Sequence, residues 1–213
     1  MKQQVKLKQA VKLIKPDKKV MLPGEFGCML ELTVHKPNGE VTEHRIVKSK
    51  SFVRQFLEIL WMQCYNLPSV LAGGTRPKDT GGTARGVDQA SGNLSAVADA
   101  GITANGIVVG TGTAAVTVDD YKLQTLITHG VAAGQLQYSA MTFGAPAEDG
   151  TTSQFRLTRD FSNASGATIT VNEIGLDVIA SGYYFMAIRD VITPVDVPNG
   201  EILTINYEEQ ATI

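Results

Sequence analysis

Residues 154–213 constrain the fold more than any other part of the chain, because apolar side chains recur there at alternate positions through four successive stretches. Phe155, Leu157, Arg159 and Phe161 alternate up to Ser162-Asn163-Ala164-Ser165-Gly166, and Ile169 and Val171 alternate beyond it. A period of two on both sides of a Gly-containing turn predicts a β-hairpin. The apolar phase then slips from odd to even positions, to Ile174, Leu176 and Val178, and a one-residue bulge near Asn172-Glu173 accounts for the slip. Turns at Ser181-Gly182 and Pro198-Asn199-Gly200 bound a strand that includes residues 183–191, and Leu203, Ile205 and Tyr207 alternate in the last strand. Four strands in tandem make a core rather than a catalytic centre.

The length of 213 residues suits one all-β domain or one domain with an appendage. A hydrophobic fraction of 43% is enough for a packed core, and 21 glycines beside only 19% charged residues favour turns and strands over long helices. The formal charge of −2 conceals a division. Residues 1–54 carry 12 Lys+Arg against 5 Asp+Glu (+7), and residues 55–213 carry 7 against 16 (−9), so the two parts attract each other within or between copies. No apolar run approaches the roughly 18 residues of a bilayer span, and the start lacks the apolar segment of a secretory signal. A soluble chain synthesised in a cytoplasm is expected. Cys28 and Cys64 are too few for a disulfide framework, form no C-x-x-C site, and are expected to be reduced and buried.

Residues 1–20 hold seven lysines and one acid, with Val5, Leu7, Val11 and Leu13 between them. This pattern fits a basic arm for nucleic acid or an acidic neighbour, and equally an edge strand whose lysines discourage pairing. The absence of interleaved arginine and aromatic residues favours the second. Residues 28–47 read as a hairpin about Pro37-Asn38-Gly39, since Asn-Gly tolerates the positive φ a tight turn needs. Residues 52–64 read as the one helix, with Ser51 as N-cap and Phe52, Phe56, Ile59, Leu60 and Cys64 at helical spacing. Val53, Leu57 and Trp61 widen its stripe, which must dock on the sheets or on a second copy. Residues 71–106 are Gly, Ala, Thr, Ser and Asp with scarcely a large apolar side chain, which predicts a long loop or arm. Residues 123–128, Leu136 with Tyr138, and residues 141–143 read as further strands.

Candidate chemistry is sparse. His35 and His44 flank the first turn without a third metal ligand, and His129 stands apart from any nucleophile. Asp79-Thr80-Gly81 spells the aspartic-protease triplet, but Arg76-Pro77-Lys78 before it is not the apolar strand that such a carboxylate pair requires. Gly110-Thr111-Gly112-Thr113-Ala114-Ala115 fits a dinucleotide fingerprint after the strand Ile107-Val108-Val109, yet the β-branched Ala115-Val116-Thr117-Val118 predicts no helix to hold a pyrophosphate. Asp119, Asp120, Glu148 and Asp149 lack the spacing of a calcium loop. No catalytic, cofactor-binding or metal-binding residue is therefore assigned.

Several stretches together resemble small virion proteins encoded in the structural modules of tailed bacteriophages. The residues concerned are Lys50-Ser51-Phe52-Val53-Arg54-Gln55-Phe56, Gly110-Thr111-Gly112-Thr113, Val118-Asp119-Asp120-Tyr121, and, in the C-terminal sheet, Arg159, Phe161, Asn163, Ser165-Gly166, Val171, Glu173-Ile174-Gly175-Leu176, Arg189-Asp190-Val191, Leu203-Thr204 and Tyr207. The resemblance implies a non-enzymatic structural protein of the virion, a capsid-decoration, neck or tail component, present in many copies. Its partners would be its own copies, as a trimer or ring, and other capsid or tail subunits, with no cofactor, no membrane and no nucleic acid. The expected fold is mainly β, a jelly-roll-like β-sandwich over residues 106–213, with an N-terminal strand, hairpin and helix in residues 1–70 and a loop or arm over 71–105. A different expectation, a carbohydrate- or receptor-binding module, would need exposed aromatics on one face, for which Tyr183, Tyr184 and Tyr207 are the candidates.

Overall fold

The computed structural model describes residues 26–49, 52–65, 77–87 and 94–212, so the basic segment 1–20 and Ser51 lie outside the described residues. The chain is mainly β, with one helix and two antiparallel sheets in a sandwich-like arrangement. The first sheet runs β2 (Val41–Lys48), β1 (Phe26–His35), β10 (Ile202–Thr212), β7 (Thr152–Ser162), β4 (Gln137–Tyr138). Two short strands, β5 (Thr142–Phe143) and β6 (Ala147–Asp149), also pair with β7. The second sheet is β3 (Gly106–Gly110), β8 (Ile169–Ala180), β9 (Tyr183–Val197). The N-terminal hairpin is part of the first sheet: β1 pairs with β10 over ten positions, from Phe26 with Ala211 to His35 with Ile202.

Alternation assigns the inner faces. Cys28, Leu30, Leu32 and Val34 of β1, Leu203, Ile205 and Tyr207 of β10, and Leu157 and Phe161 of β7 are buried from the first sheet. Ile107, Val109, Ile174, Leu176, Val178, Phe185 and Ile188 face them from the second, in one continuous core. The Asn38-Gly39 turn forms as expected, with Gly39 at φ 84° and the Asn38 side chain accepting from the Glu40 amide at 3.0 Å. Ser181 and Gly182, both at positive φ, turn β8 into β9, so these two strands make a hairpin.

Two connections differ from the sequence reading. β7 and β8 do not pair, because the segment 163–168 carries the chain from one sheet to the other, and the Pro198-Asn199-Gly200 turn carries it back. These are arches across the sandwich. Asn163, 2% exposed, ties them together: its side-chain amide donates to Val197 O (2.7 Å) and Ala167 O (2.8 Å), while the Gly200 amide donates to Asn163 O (2.7 Å). The register of β8 against β9 shifts between Val171 and Glu173, where the phase slip places it. The extra residues belong to the partner: Asn172 alone faces Ile192, Thr193 and Pro194, and a second shift follows at Leu176/Asp177. Pro194 lacks an N–H donor, so a break in the ladder there leaves no ladder bond missing.

Helix α1 spans Arg54–Tyr65, not residues 52–64, because Phe52 bridges Ile188 and the Val53 amide donates to Ala187 O at 3.0 Å along β9. Phe52 stacks between Phe26 and Phe56, with centroids at 5.7 and 4.7 Å. Ile59 is buried, whereas Leu57 and Trp61 are more than half exposed, so the sheets cover only part of the apolar stripe. The segment 123–128 is not a strand; it makes only an isolated bridge, Leu126 with Gly110. The described parts of residues 71–106 lie against the sheets. Ser95 and Ile179 exchange amide bonds at 3.2 and 2.8 Å, the Met141 amide donates to Ala98 O at 2.8 Å, and the Thr80 amide donates to Tyr184 O at 2.9 Å.

Candidate functional site

The polar chemistry of the chain gathers on the outer face of the second sheet. Strand alternation there places Glu173, Gly175 and Asp177 of β8 beside Arg189 and Met186 of β9 and Gly106, Val108 and Gly110 of β3. Glu173 is 0% and Arg189 2% exposed, because segments 77–87 and 111–127 and helix α1 form a layer over this face.

Glu173 holds that layer down. One carboxylate oxygen, Oε1, accepts from the Gly112 (3.0 Å) and Thr125 (2.8 Å) amides, and Oε2 accepts from the Gln124 amide (3.0 Å). Arg189 donates to the same Oε2 through Nε at 3.0 Å and Nη2 at 2.8 Å. Its remaining donors reach Asp120 Oδ2 (2.8 Å) and Ala114 O (3.2 Å). The loop is closed at its base by Thr111 N to Thr125 O and Ile127 N to Val109 O, both 2.9 Å. Burial would raise the Asp120 pKa, but the Thr117 and Arg189 hydrogen bonds outweigh it and hold the group below the ordinary carboxylate value.

The Gly-x-Gly segment is thus an anion-binding loop whose anion is internal. A Cβ at Gly110 would lie 2.5 Å from Thr125 O and 2.6 Å from Glu173 Oε1, and one at Gly112 would lie 2.5 Å from the Gln124 Cβ. Both positions need glycine for close approach to the carboxylate, the same need that a pyrophosphate imposes in a dinucleotide site. The amides of Thr113 and Ala114 are likewise taken, by Gln124 Oε1 at 2.9 and 2.8 Å.

The other candidate residues also have internal partners. Asp79 is not in a loose polar loop: its Oδ2 meets Arg85 Nε at 2.6 Å and its Oδ1 accepts from the Thr83 amide at 2.8 Å. Burial opposes ionisation, yet these bonds hold its pKa below the ordinary carboxylate value, and the ion pair it makes is with a guanidinium and not with a second carboxylate. His35 bonds Thr204 Oγ1 at 3.0 Å, His44 bonds Glu31 Oε1 at 2.9 Å, and His129 Nδ1 accepts from the Tyr138 amide at 3.0 Å. Asp119 and Asp120 sit over the second sheet while Glu148 and Asp149 belong to β6 of the first. Among the described residues no group of three His, Cys, Asp or Glu is placed to hold a metal ion. Tyr207 is fully buried with its hydroxyl toward Asp190, and Tyr183 and Tyr184 alternate to opposite faces of β9. The three tyrosines therefore form no common binding face.

Cys28 is buried, and the Cys64 side chain lies outside the described residues. Opposite Cys28 on β10 is Glu209, 8% exposed, whose pKa burial raises from 4.5 to about 7 against a small lowering by the Cys28 thiol. Asp190 and Tyr207 are close enough to Cys28 for their charges to matter there. The folded chain holds the Glu209 proton more tightly than the unfolded chain, so the stability this group contributes is fully present below pH 4.5 and is lost as pH rises toward 7. The loss amounts to roughly 3 kcal/mol. Glu209→Gln is expected to flatten this part of the decline in urea unfolding at pH 5 and pH 8. Asp177, also raised by burial, contributes the same sign in both proteins and cancels from the comparison.

These features define a β-sandwich whose second sheet is covered by a polar-clasped loop layer. Compared with known proteins, the chain matches no family model, no curated protein and no solved structure.

Proposed function

We propose that the protein is a non-enzymatic structural component of a tailed-phage particle, a capsid-decoration, neck or tail protein that assembles in multiple copies. The sequence resemblance supplies the class, and one observation carries the assembly role. A rigid sandwich presents an incompletely covered helix, with Leu57 at 57%, Trp61 at 51% and Leu60 at 38% exposure. Apolar side chains grouped on one exposed helix face are the usual mark of a protein contact. The basic residues 1–54 and acidic residues 55–213 complement each other between copies, which favours a second copy of this chain as the occupant.

Native mass measurement is expected to give a closed oligomer, a trimer or ring. Trp61, the only tryptophan, is expected to shift its emission to the blue on assembly, and Leu57→Ser with Leu60→Ser is expected to return the protein to monomers with its fold intact. A strict monomer that never associates with particles overturns the proposal.

A further inference from the structure

A strand at the edge of a sheet directs alternate N–H and C=O groups outward, and those groups need a partner strand, a cover or water. Among the described residues, most sheet edges are blunted. Beyond β3, Leu126 bridges Gly110 and the Ile127 amide donates to Val109 O at 2.9 Å. Along β9, Phe52 bridges Ile188, and the Val53 and Thr80 amides donate to Ala187 O (3.0 Å) and Tyr184 O (2.9 Å). Further along, Arg45 donates to Thr193 O (2.8 Å) and Pro194 O (3.0 Å). The far side of β7 carries only the short pieces β4, β5 and β6. Strand β2 is the exception. It has eight residues with neither Pro nor Gly, and its register against β1 is unbroken from Glu43 to Lys48. Among the described residues neither a strand nor a backbone hydrogen bond lies along its other side.

The inner side of this edge is also open. A cleft of about 450 Å³ lies between β2 and β9, with Leu32, Val47, Val116, Val191 and Ile192 among its walls, and Val47 is 40% and Val191 37% exposed. Arg45 borders it too, but its guanidinium is held by the two β9 carbonyls and by Glu43. The edge therefore suits an extended segment that brings apolar side chains on one face. Residues 4–13 have that pattern: Val5, Leu7, Val11 and Leu13 at alternate positions, Lys6, Lys8 and Lys12 between them, and no proline before Pro16. Laid beside β2, they would turn the apolar set over the cleft and the lysines to solvent.

Antiparallel addition matches the pairing of the first sheet, and it would set the segment parallel to β1, which begins at Phe26. Within one chain, the twelve residues 14–25 would then have to run back the length of β2, about 26 Å at roughly 3.3 Å per residue, before entering β1. Parallel strands of one sheet ask for a crossover of a dozen residues or more, so this return is at the minimum. A second copy needs no return. We infer that β2 accepts residues 4–13 of a second copy as an added antiparallel strand. The inference rests on the multi-copy reading: contact through the helix face raises the effective concentration of the segment, and strand addition then ties the copies together.

The test is hydrogen exchange, read by mass spectrometry, on the 213-residue protein and two double variants. In the wild type, the outward amides within residues 41–48 are expected to exchange roughly tenfold more slowly than in Leu7→Pro with Val11→Pro, which loses two apolar side chains and two amide donors of the added strand. Protection of β1, β7 and β10 in that variant is expected to be unchanged, and its native mass to remain that of an oligomer. Monomeric Leu57→Ser with Leu60→Ser is expected to exchange as fast in 41–48 as the proline variant. Protection retained in those monomers means that the chain's own segment covers β2, and overturns the inference. Equal exchange in oligomeric wild type and oligomeric proline variant also overturns it, and leaves the multi-copy reading standing. A wild type that is monomeric throughout overturns both.

Discussion

Glu173→Ala is expected to lower the unfolding free energy by about 3–5 kcal/mol, the cost of removing one partner from a buried ion pair. The reason is the number of groups left behind. Arg189, 2% exposed, keeps its charge but loses two of its hydrogen bonds, and the amides of Gly112, Gln124 and Thr125 lose their acceptor. At this chain length each kcal/mol is worth roughly 2–4 °C, so the melting temperature should fall by about 6–20 °C. Hydrogen exchange should show where the loss falls, with fast exchange in residues 111–125 and continued protection in β1, β7 and β10. Glu173→Gln with Arg189→Met should cost less than the sum of the single changes, because no buried charge is then left alone. Additive losses, or protection retained through 111–125, would show that the loop layer is held by something other than this carboxylate.

The strands of the last sixty residues were legible because burial on one face imposes a period of two, and that period does not depend on which strand lies alongside. The same independence explains the misread connection. Phe155, Leu157 and Phe161 followed by Ile169 and Val171 present the same alternation whether the two strands pair or face each other across the core. What separates an arch from a hairpin here is Asn163, whose side chain bonds Val197 O rather than bridging β7 to β8. That long-range partner leaves no local trace. The segment 123–128 is over-read for a related reason: Leu123 and Ile127 are buried, but within the layer over the second sheet and not as ladder members, whereas the strands read at Tyr138 and at 142–143 do form, as β4 and β5.

The clasp did leave a signal, of a kind that apolar periodicity hides. Glu173 follows Ile169 and Val171 at the next buried position of its strand, and Arg189 interrupts the apolar run from Phe185 to Ile192. A charged residue at a position that pattern assigns to burial must have a partner. Two such residues of opposite sign on successive strands are each other's natural candidates. The Gly110-Thr111-Gly112 segment was correctly denied a helix, yet its glycines have the function their spacing suggests, close backbone approach to a carboxylate that sits in the same chain.

Arg159 obeys the same rule and carries the second large effect. It occupies an inward position between Leu157 and Phe161, and is 1% exposed. Among the described residues no carboxylate meets it. Its donors go instead to backbone carbonyls: Nε to Ser139 O (2.9 Å), Nη1 to Asn105 O (3.1 Å) and Ile107 O (2.9 Å), Nη2 to Asp99 O (3.2 Å) and Ile102 O (2.6 Å). Its guanidinium also lies 4.8 Å from the Tyr138 ring centroid. Burial pushes its pKa down to about 10, still far above neutrality, so the cation persists and gathers the segment 99–107 around itself. Arg159→Met, which keeps the apolar stem, should cost about 3 kcal/mol or more by removing the side-chain donors of five backbone carbonyls. Arg159→Lys should recover little, because one ammonium has three donors and cannot span carbonyls approached by a planar fork. Proteolysis is the direct readout: cleavage within 99–107 should accelerate in both variants while Glu173→Ala leaves that segment protected. Equal protection in Arg159→Met and the wild type would mean that β3 and its approach are held by the sheets alone.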